Sequence, residues 1–283
     1  MAEEVKKSEE CEHDCESCKE NCPSREGMKA PMNKHSDIKK VVAVVSGKGG
    51  VGKSLVTGML AVSLQKMGKT VAVLDADITG PSIPKMFGLT EKVKSGRVGI
   101  IPGETKTGIE VMSINLILDN EDDPVIWRGP VVTSVLQQFW SDVVWGEIDC
   151  MLVDLPPGTG DAPLTVFQAL PLDGIIIVAS PQELVSVIVK KAANMARQMD
   201  IPILGIVENM SYYECPDCHK RHSIFGESHV DEIAEKYLIK NVAKIPIDSN
   251  LAKLCDNGKI EENKADYLEG MAKMLAKPKK TQE

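Results

Sequence analysis

Residues 40–54 read Lys40-Val41-Val42-Ala43-Val44-Val45-Ser46-Gly47-Lys48-Gly49-Gly50-Val51-Gly52-Lys53-Ser54, and their reading decides the fold. A continuous β-branched run is what a strand buried on both faces requires. It passes into a loop of the form G-x-x-x-x-G-K-[ST], with a second lysine directly after the first glycine. The glycines, with Val51 among them, let backbone N–H groups converge on phosphate oxygens where a Cβ would crowd the ligand. Lys53 is placed to reach the terminal phosphates, and the Ser54 hydroxyl to ligate Mg²⁺. Residues 52–67 then take helical spacing, with Leu55, Met59, Val62 and Leu64 apolar. A helix starting there turns its positive end toward the phosphates.

Working outward, the pattern predicts strands over 41–46, 70–75, 149–154, 174–179, 202–208 and 241–246. It predicts helices over 52–67, 130–144, 161–170, 182–199, 227–236, 249–257 and 262–276. This alternation predicts an α/β fold, a mostly parallel sheet flanked by helices. Residues 91–118 break the alternation. There Gly99-Ile100-Ile101-Pro102-Gly103 and Gly108-Ile109-Glu110-Val111-Met112 predict a β-hairpin inserted at the sheet edge. Residues 1–36 are polar and charged without apolar periodicity and read as a flexible, cysteine-rich N-terminal arm. The P-loop domain spans 37–276, and 277–283 form a polar tail.

The chain of 283 residues is 43% hydrophobic, enough for a sizeable core, and only 4% aromatic, so that core is aliphatic. A net charge of −8 argues against broad nucleic-acid binding. No apolar run reaches membrane-spanning length, and the charged N-terminus carries no secretory signal. These features predict a soluble cytoplasmic protein with neither nucleic acid nor membrane as partner. Its eight cysteines then stay reduced or bind metal.

Two strand ends add carboxylates to the phosphate site. Thr70-Val71-Ala72-Val73-Leu74-Asp75-Ala76-Asp77 places two at one C-terminal edge, where open α/β sheets bind ligands. Cys150-Met151-Leu152-Val153-Asp154 ends in an acid placed to hold Mg²⁺, directly or through water. Residues 155–161, Leu155-Pro156-Pro157-Gly158-Thr159-Gly160-Asp161, follow as a loop able to sense a γ-phosphate.

Thiolates select soft metals. Cys215-Pro216-Asp217-Cys218 supplies half of a four-thiolate set. The other half can come from the same loop of a second subunit across a two-fold axis. It can come from His222 or His219, giving a zinc site, or from the N-terminal arm. That arm carries Cys11, Cys15, Cys18 and Cys22 in a C-x₃-C-x₂-C-x₃-C run followed by Pro23. Its last three cysteines match the tail of a bacterial ferredoxin run, with a first gap one residue longer. The four are candidate ligands for a second iron–sulfur cluster or for zinc. Cys150 and Cys255 read as small core residues.

Lys48 beside Gly47 is similar to the deviant P-loop of the dimeric ATPases that include MinD, ParA, the arsenite-pump ATPase and the nitrogenase iron protein. Residues 75–84, Trp127-Arg128-Gly129-Pro130, residues 154–161 and the C-P-D-C run together resemble the Mrp/ApbC-type iron–sulfur cluster carrier ATPases, over about residues 38–275. The resemblance implies a homodimer in which Lys48 reaches the phosphates of the partner's ATP, while Lys53 and Ser54 act in cis. It implies that Asp77 orients the attacking water with Asp75 beside it, and that Asp154 serves Mg²⁺. It also implies that Asn209 recognises adenine, with the Ile245-Pro246-Ile247-Asp248 loop packing on the base. Cys215 and Cys218 would hold a subunit-bridging [4Fe–4S] cluster. The implied function is ATP-binding, slowly ATP-hydrolysing cluster carriage, from iron–sulfur scaffold donors to apoprotein acceptors, with residues 155–161 linking the γ-phosphate to the cysteine face. Two other classes stay open. A ParA/MinD-like positioning ATPase has no use for the C-x-x-C and acts on surfaces that an acidic chain avoids. ATP-coupled electron transfer requires a redox partner.

Overall fold

The alternating β-branched and helical runs settle into the elements of a computed structural model, which describes residues 31–78, 80–118, 129–158, 161–181 and 185–279. The arm cysteines Cys11, Cys15, Cys18 and Cys22 lie outside the described residues, as do Trp127, Arg128, Thr159 and Gly160. In chain order the first half holds β1 (Ser36–Ile38), β2 (Val41–Ser46), α1 (Lys53–Lys66), β3 (Val71–Asp75), α2 (Ile83–Phe87), β4 (Lys94–Ser95), β5 (Ile100–Ile101), β6 (Gly103–Glu104) and β7 (Glu110–Met112). The second half holds α3 (Gly129–Ser141), β8 (Gly146–Ile148), β9 (Cys150–Asp154), α4 (Asp161–Ala169), β10 (Gly174–Ala179), α5 (Val185–Gln198), β11 (Ile203–Glu208), β12 (Tyr213–Glu214), β13 (Arg221–His222), α6 (Val230–Lys236), β14 (Val242–Lys244), α7 (Ser249–Asp256) and α8 (Glu269–Leu275).

Eight strands form one sheet in the order β14-β11-β10-β2-β9-β3-β7-β6. Every neighbouring pair is parallel except β6 against β7. The central strand β2 is buried along its whole length, as its unbroken apolar run requires. Alternate side chains feed two cores. Val42, Val44, Leu152 and Val178 pack under α1, α2, α7 and α8. Ala43, Val45, Val153 and Ile177 pack under α3, α4, α5 and α6.

The major strands and helices fall where the sequence places them, within a few residues at their ends. The exception is α8, which begins at Glu269, after Asn263 and Ala265 have hydrogen-bonded each other in a turn. Residues 91–118 form two small pairings rather than a single hairpin. Lys94–Ser95 pairs with Ile100–Ile101, and Gly103–Glu104 pairs with Glu110–Val111. β7 is the parallel neighbour of β3 and so extends the sheet. The helix α2 and the β1–β8 pair were not legible. Pro81 and Pro84 bracket the start of α2, and β1 is three residues long.

Candidate functional site

Parallel strands deliver their C-terminal ends to one edge, and chemistry collects there. Asp75 and Asp154 are register partners on β3 and β9, both turned to the face that α1 covers. The loop after β2 bends into α1 through Gly52, whose φ of +83° is left-handed. Gly52 is the N-cap of α1, provides no side-chain cap, and is followed by no acidic residue in the first turn. The first N–H groups of a fourteen-residue helix are therefore left to an anion.

Asp154 is fully buried and saturated with donors. Its Oδ2 accepts from Lys53 Nζ at 2.7 Å and from Ser54 Oγ at 2.6 Å, and its Oδ1 accepts from Thr57 Oγ1 at 2.7 Å. Lys53 Nζ also lies 3.8 Å from Asp77 Oδ2. Asp75 Oδ1 accepts from the Asp77 backbone N–H, and its Oδ2 from Ser113 Oγ and the Ile83 N–H. Three donors favour the carboxylate, but burial and then the nearby Asp154 charge outweigh them and push the Asp75 carboxyl up to about 8. An oxygen-rich set of Ser54, Asp77 and Asp154 fits a hard cation such as Mg²⁺.

Lys53, Ser54 and Asp77 open on a cleft of about 410 Å³ between the loop and α7, with Asp154 buried behind them. Lys48, Gly49, Ser54 and Asp77 line one side, and Cys255 and Asp256 the other. Cys255 packs against the core as expected and also lines the cleft, and partial burial pushes its thiol up to about 11. Cys150 is the buried core thiol expected of it, pushed up to about 12 by burial. Asn209 is 3% exposed and donates from Nδ2 to the Val51 carbonyl at 2.9 Å. Asn209 and Pro246 are not among the residues lining the cleft. Pro246 is buried in a segment stitched to β11 by Ile245 N–H to Glu208 O and to the turn beyond it by Ser211 N–H to Ile245 O. Two contributors were missed in the sequence. Thr57 stands one turn beyond Lys53, a spacing that could have flagged it, whereas nothing local marks Ser113.

The cysteine pair sits on a separate projection. β12 and β13 pair antiparallel, Tyr213 opposite His222 and Glu214 opposite Arg221. Cys215 N–H bonds the Lys220 carbonyl, and His219, left-handed at φ 56°, closes the turn onto Cys215 O. Pro216 has no N–H, so the donors of the turn come from Asp217 and Cys218. Hydrogen bonds from the backbone of Cys218 and Asp217, then from the Cys218 side chain, hold the Cys215 thiol below its ordinary range. Cys218 is exposed. His219 lies 3.5 Å from Glu214. Among the described residues no group of three or more His, Cys, Asp or Glu is assembled for a metal. The described residues also contain no helix long and apolar enough to cross a membrane.

The comparisons with known proteins agree with this geometry. A family profile described as ParA: NUBPL iron-transfer P-loop NTPase matches residues 37–277. A protein of Clostridium perfringens named iron-sulfur cluster carrier protein is 45% identical over 257 residues, 88% of each chain. A nucleotide-binding protein of Archaeoglobus fulgidus, solved in complex with ADP, is 49% identical and has a TM-score of 0.76. That match covers 82% of this chain and 91% of that one. The cell-division ATPase MinD of Pyrococcus furiosus shares the fold, with 17% identity and a TM-score of 0.59 over 84% of this chain and 96% of its own. With its parallel sheet, its glycine loop and a match running from residue 37 to 277, the chain belongs to the ParA/NUBPL iron-transfer family of P-loop NTPases.

Proposed function

We propose that the chain is an ATP-binding, slowly ATP-hydrolysing carrier that holds a [4Fe–4S] cluster between two copies of itself and hands it to apoproteins in the cytoplasm. The observation that carries this reading is the Cys215–Cys218 hairpin. It pairs a half-buried Cys215, biased toward thiolate, with an exposed Cys218, and no third ligand is assembled beside them among the described residues. Two thiolates are half of what a cluster takes, so a second copy related by a two-fold axis completes the set. The names of relatives at 45% and 46% identity, iron-sulfur cluster carrier protein, support the cargo.

At the other site, the N–H groups of the loop and of the α1 N-terminus bind phosphate oxygens, and Lys53 neutralises charge on the terminal phosphate in cis. Lys48 does so from the second copy. Asn209 and Pro246 flank the base. Ser54 and Asp154 would hold Mg²⁺, which supplies charge neutralisation at the phosphates when bound. Asp77 accepts a hydrogen bond from the attacking water. The water oxygen bonds the γ-phosphorus, the bond to the bridging oxygen breaks, ADP leaves, and the proton passes to the released phosphate. In this reading hydrolysis resets a switch whose two states differ in how the paired chains present the cluster.

Anaerobic reconstitution with ferrous iron and sulfide tests the proposal, using a chain whose arm cysteines are all replaced by Ser. That chain should gain a brown iron–sulfur chromophore and pass it to an apo-acceptor enzyme. Adding Cys215→Ser and Cys218→Ser should abolish both. Unchanged iron and sulfide content, with unchanged transfer, would overturn the bridging site.

A further inference from the structure

The thiol hairpin and the phosphate loop are joined by a short hydrogen-bonded run of chain, of which the roles above use only Asn209. β11 ends at Glu208, and seven residues later the chain reaches Cys215. At the near end, Asn209 Nδ2 donates to Val51 O across 158 residues of sequence. The approach is so close that a Cβ on Gly52 would lie 2.1 Å from that nitrogen. Met210 then turns left-handed at φ 57°, a conformation that a non-glycine residue holds only where its surroundings enforce it. Ser211 is pinned on both sides, its N–H to Ile245 O and its Oγ to Glu208 Oε2 at 2.6 Å. Tyr212 accepts from the Ile247 N–H at 2.7 Å. Its ring carries the Arg221 guanidinium 4.4 Å above it, and Arg221 in turn bonds Glu214 across β12 and β13. Cys215 follows directly. Glu208 itself is 1% exposed and anchors the start of the run through the Ser211 hydroxyl.

From this connection we infer that Asn209 is a positioning residue that couples the conformation of the phosphate loop to the cysteine hairpin. The inference rests on the carrier reading and names how its nucleotide site would regulate its thiol site. Drawn tight, the Val51–Asn209 bond sets the exit of β11, and the pinned segment transmits that setting to Cys215. Coupling is read at both ends in one experiment.

The full-length, cluster-free chain is labelled with N-ethylmaleimide, with and without saturating Mg-ADP or Mg with a non-hydrolysable ATP analogue, and labelling at each cysteine is followed by peptide mass spectrometry. Cys255 lines the cleft, so its protection reports occupancy within the same sample. In the wild type, nucleotide should shield Cys255 and change the Cys215 labelling rate about fivefold or more, the lower end of ordinary coupling. Asn209→Asp keeps size and turn preference but removes the donor to Val51, and Asn209→Ala removes the side chain. At nucleotide concentrations that shield Cys255, both should flatten the Cys215 response. A full response in either shielded variant overturns the inference. So does a wild type whose Cys255 is shielded while Cys215 is indifferent, a result that leaves cluster carriage standing. A wild-type Cys255 that nucleotide never shields would remove the nucleotide reading of the cleft, and this inference with it.

Discussion

At the scale of single residues, the energetics concentrate on Asp154. Its two oxygens satisfy an ammonium and two hydroxyls with no solvent contact. Replacing it with Ala leaves the Lys53 ammonium buried, with Asp77 at 3.8 Å as its remaining carboxylate. Breaking a buried pair from one side costs about 3–5 kcal/mol. We expect Asp154→Ala to lose that much in urea unfolding without nucleotide, and Lys53→Met added to it to recover part of the loss. Glu110 offers a milder case away from the site. It faces Glu104 across β6 and β7, its Oε2 has no partner, and burial followed by the Glu104 charge pushes its carboxyl up to about 7. A carboxyl raised in the folded state is least costly below its unfolded value, and stability falls as pH rises through the folded one. Glu110→Gln should therefore be more stable than wild type at pH 8, by about 1 kcal/mol after allowance for solvent screening. The two thermal transitions should converge near pH 4. The sequence displayed Lys53, Ser54, Asp75, Asp77 and Asp154 because each falls in a loop signature or at a strand end. Ser113 escaped because a serine following a three-residue strand carries no local sign of what it will touch, whereas Thr57 was marked only by standing one helical turn beyond Lys53.

Elements were legible in proportion to their burial. β2 and β10 are continuous apolar runs, and the sequence marks both to the residue. At the edge, Gly103–Glu104 and Glu110–Val111 form a hairpin as the sequence marks, but Ile100–Ile101 pairs elsewhere, because two- and three-residue strands are defined by their partners, not by their own composition. α2 failed for a related reason, since five residues opened by proline acquire helical form only by packing. That packing matters for the cleft. α2 ends at Gly88, and the turn after α7 contains Gly258, both with positive φ. A Cβ on Gly258 would stand 2.6 Å from Gly88 Cα. Backbone meets backbone there, and the contact ties the α2 wall of the cleft, Met86, to the α7 wall, Cys255 and Asp256. Gly258→Ala should cost about 1–3 kcal/mol for the strained backbone and should also weaken nucleotide binding, because neither helix can yield without moving its wall. Gly68→Ala, at a φ of +76° with nothing within 4 Å of its Cβ, meets the backbone term alone. Titration with a fluorescent ADP, beside thermal unfolding, separates the two. Equal nucleotide affinity in both variants would show that the wall does not depend on the contact.

For the whole molecule, the decisive question is stoichiometry across chains, which a single sequence displays only as something missing. The glycine loop and its carboxylates are assembled within one chain, whereas the hairpin presents only two thiols, Cys215 and Cys218, beside the exposed side chains of Tyr213, Ile224 and Phe225. A cargo held inside one chain would load independently of protein concentration. A cargo shared by two chains obeys mass action, because each loading event is also an association. With the arm cysteines replaced by Ser, we expect the loaded fraction to fall on anaerobic dilution and the loaded species to sediment as a dimer. The chain that also carries Cys215→Ser and Cys218→Ser should neither load nor dimerise in response to iron and sulfide. Nucleotide enters the same balance. If the two bound states of the P-loop favour different dimer geometries, replacing Mg-ADP with a non-hydrolysable ATP analogue should shift the midpoint of the dilution curve, by a factor set by its differential affinity for the two states. A loaded fraction that is insensitive to dilution would place all the ligands in one chain, and the two-fold assembly would have to be abandoned.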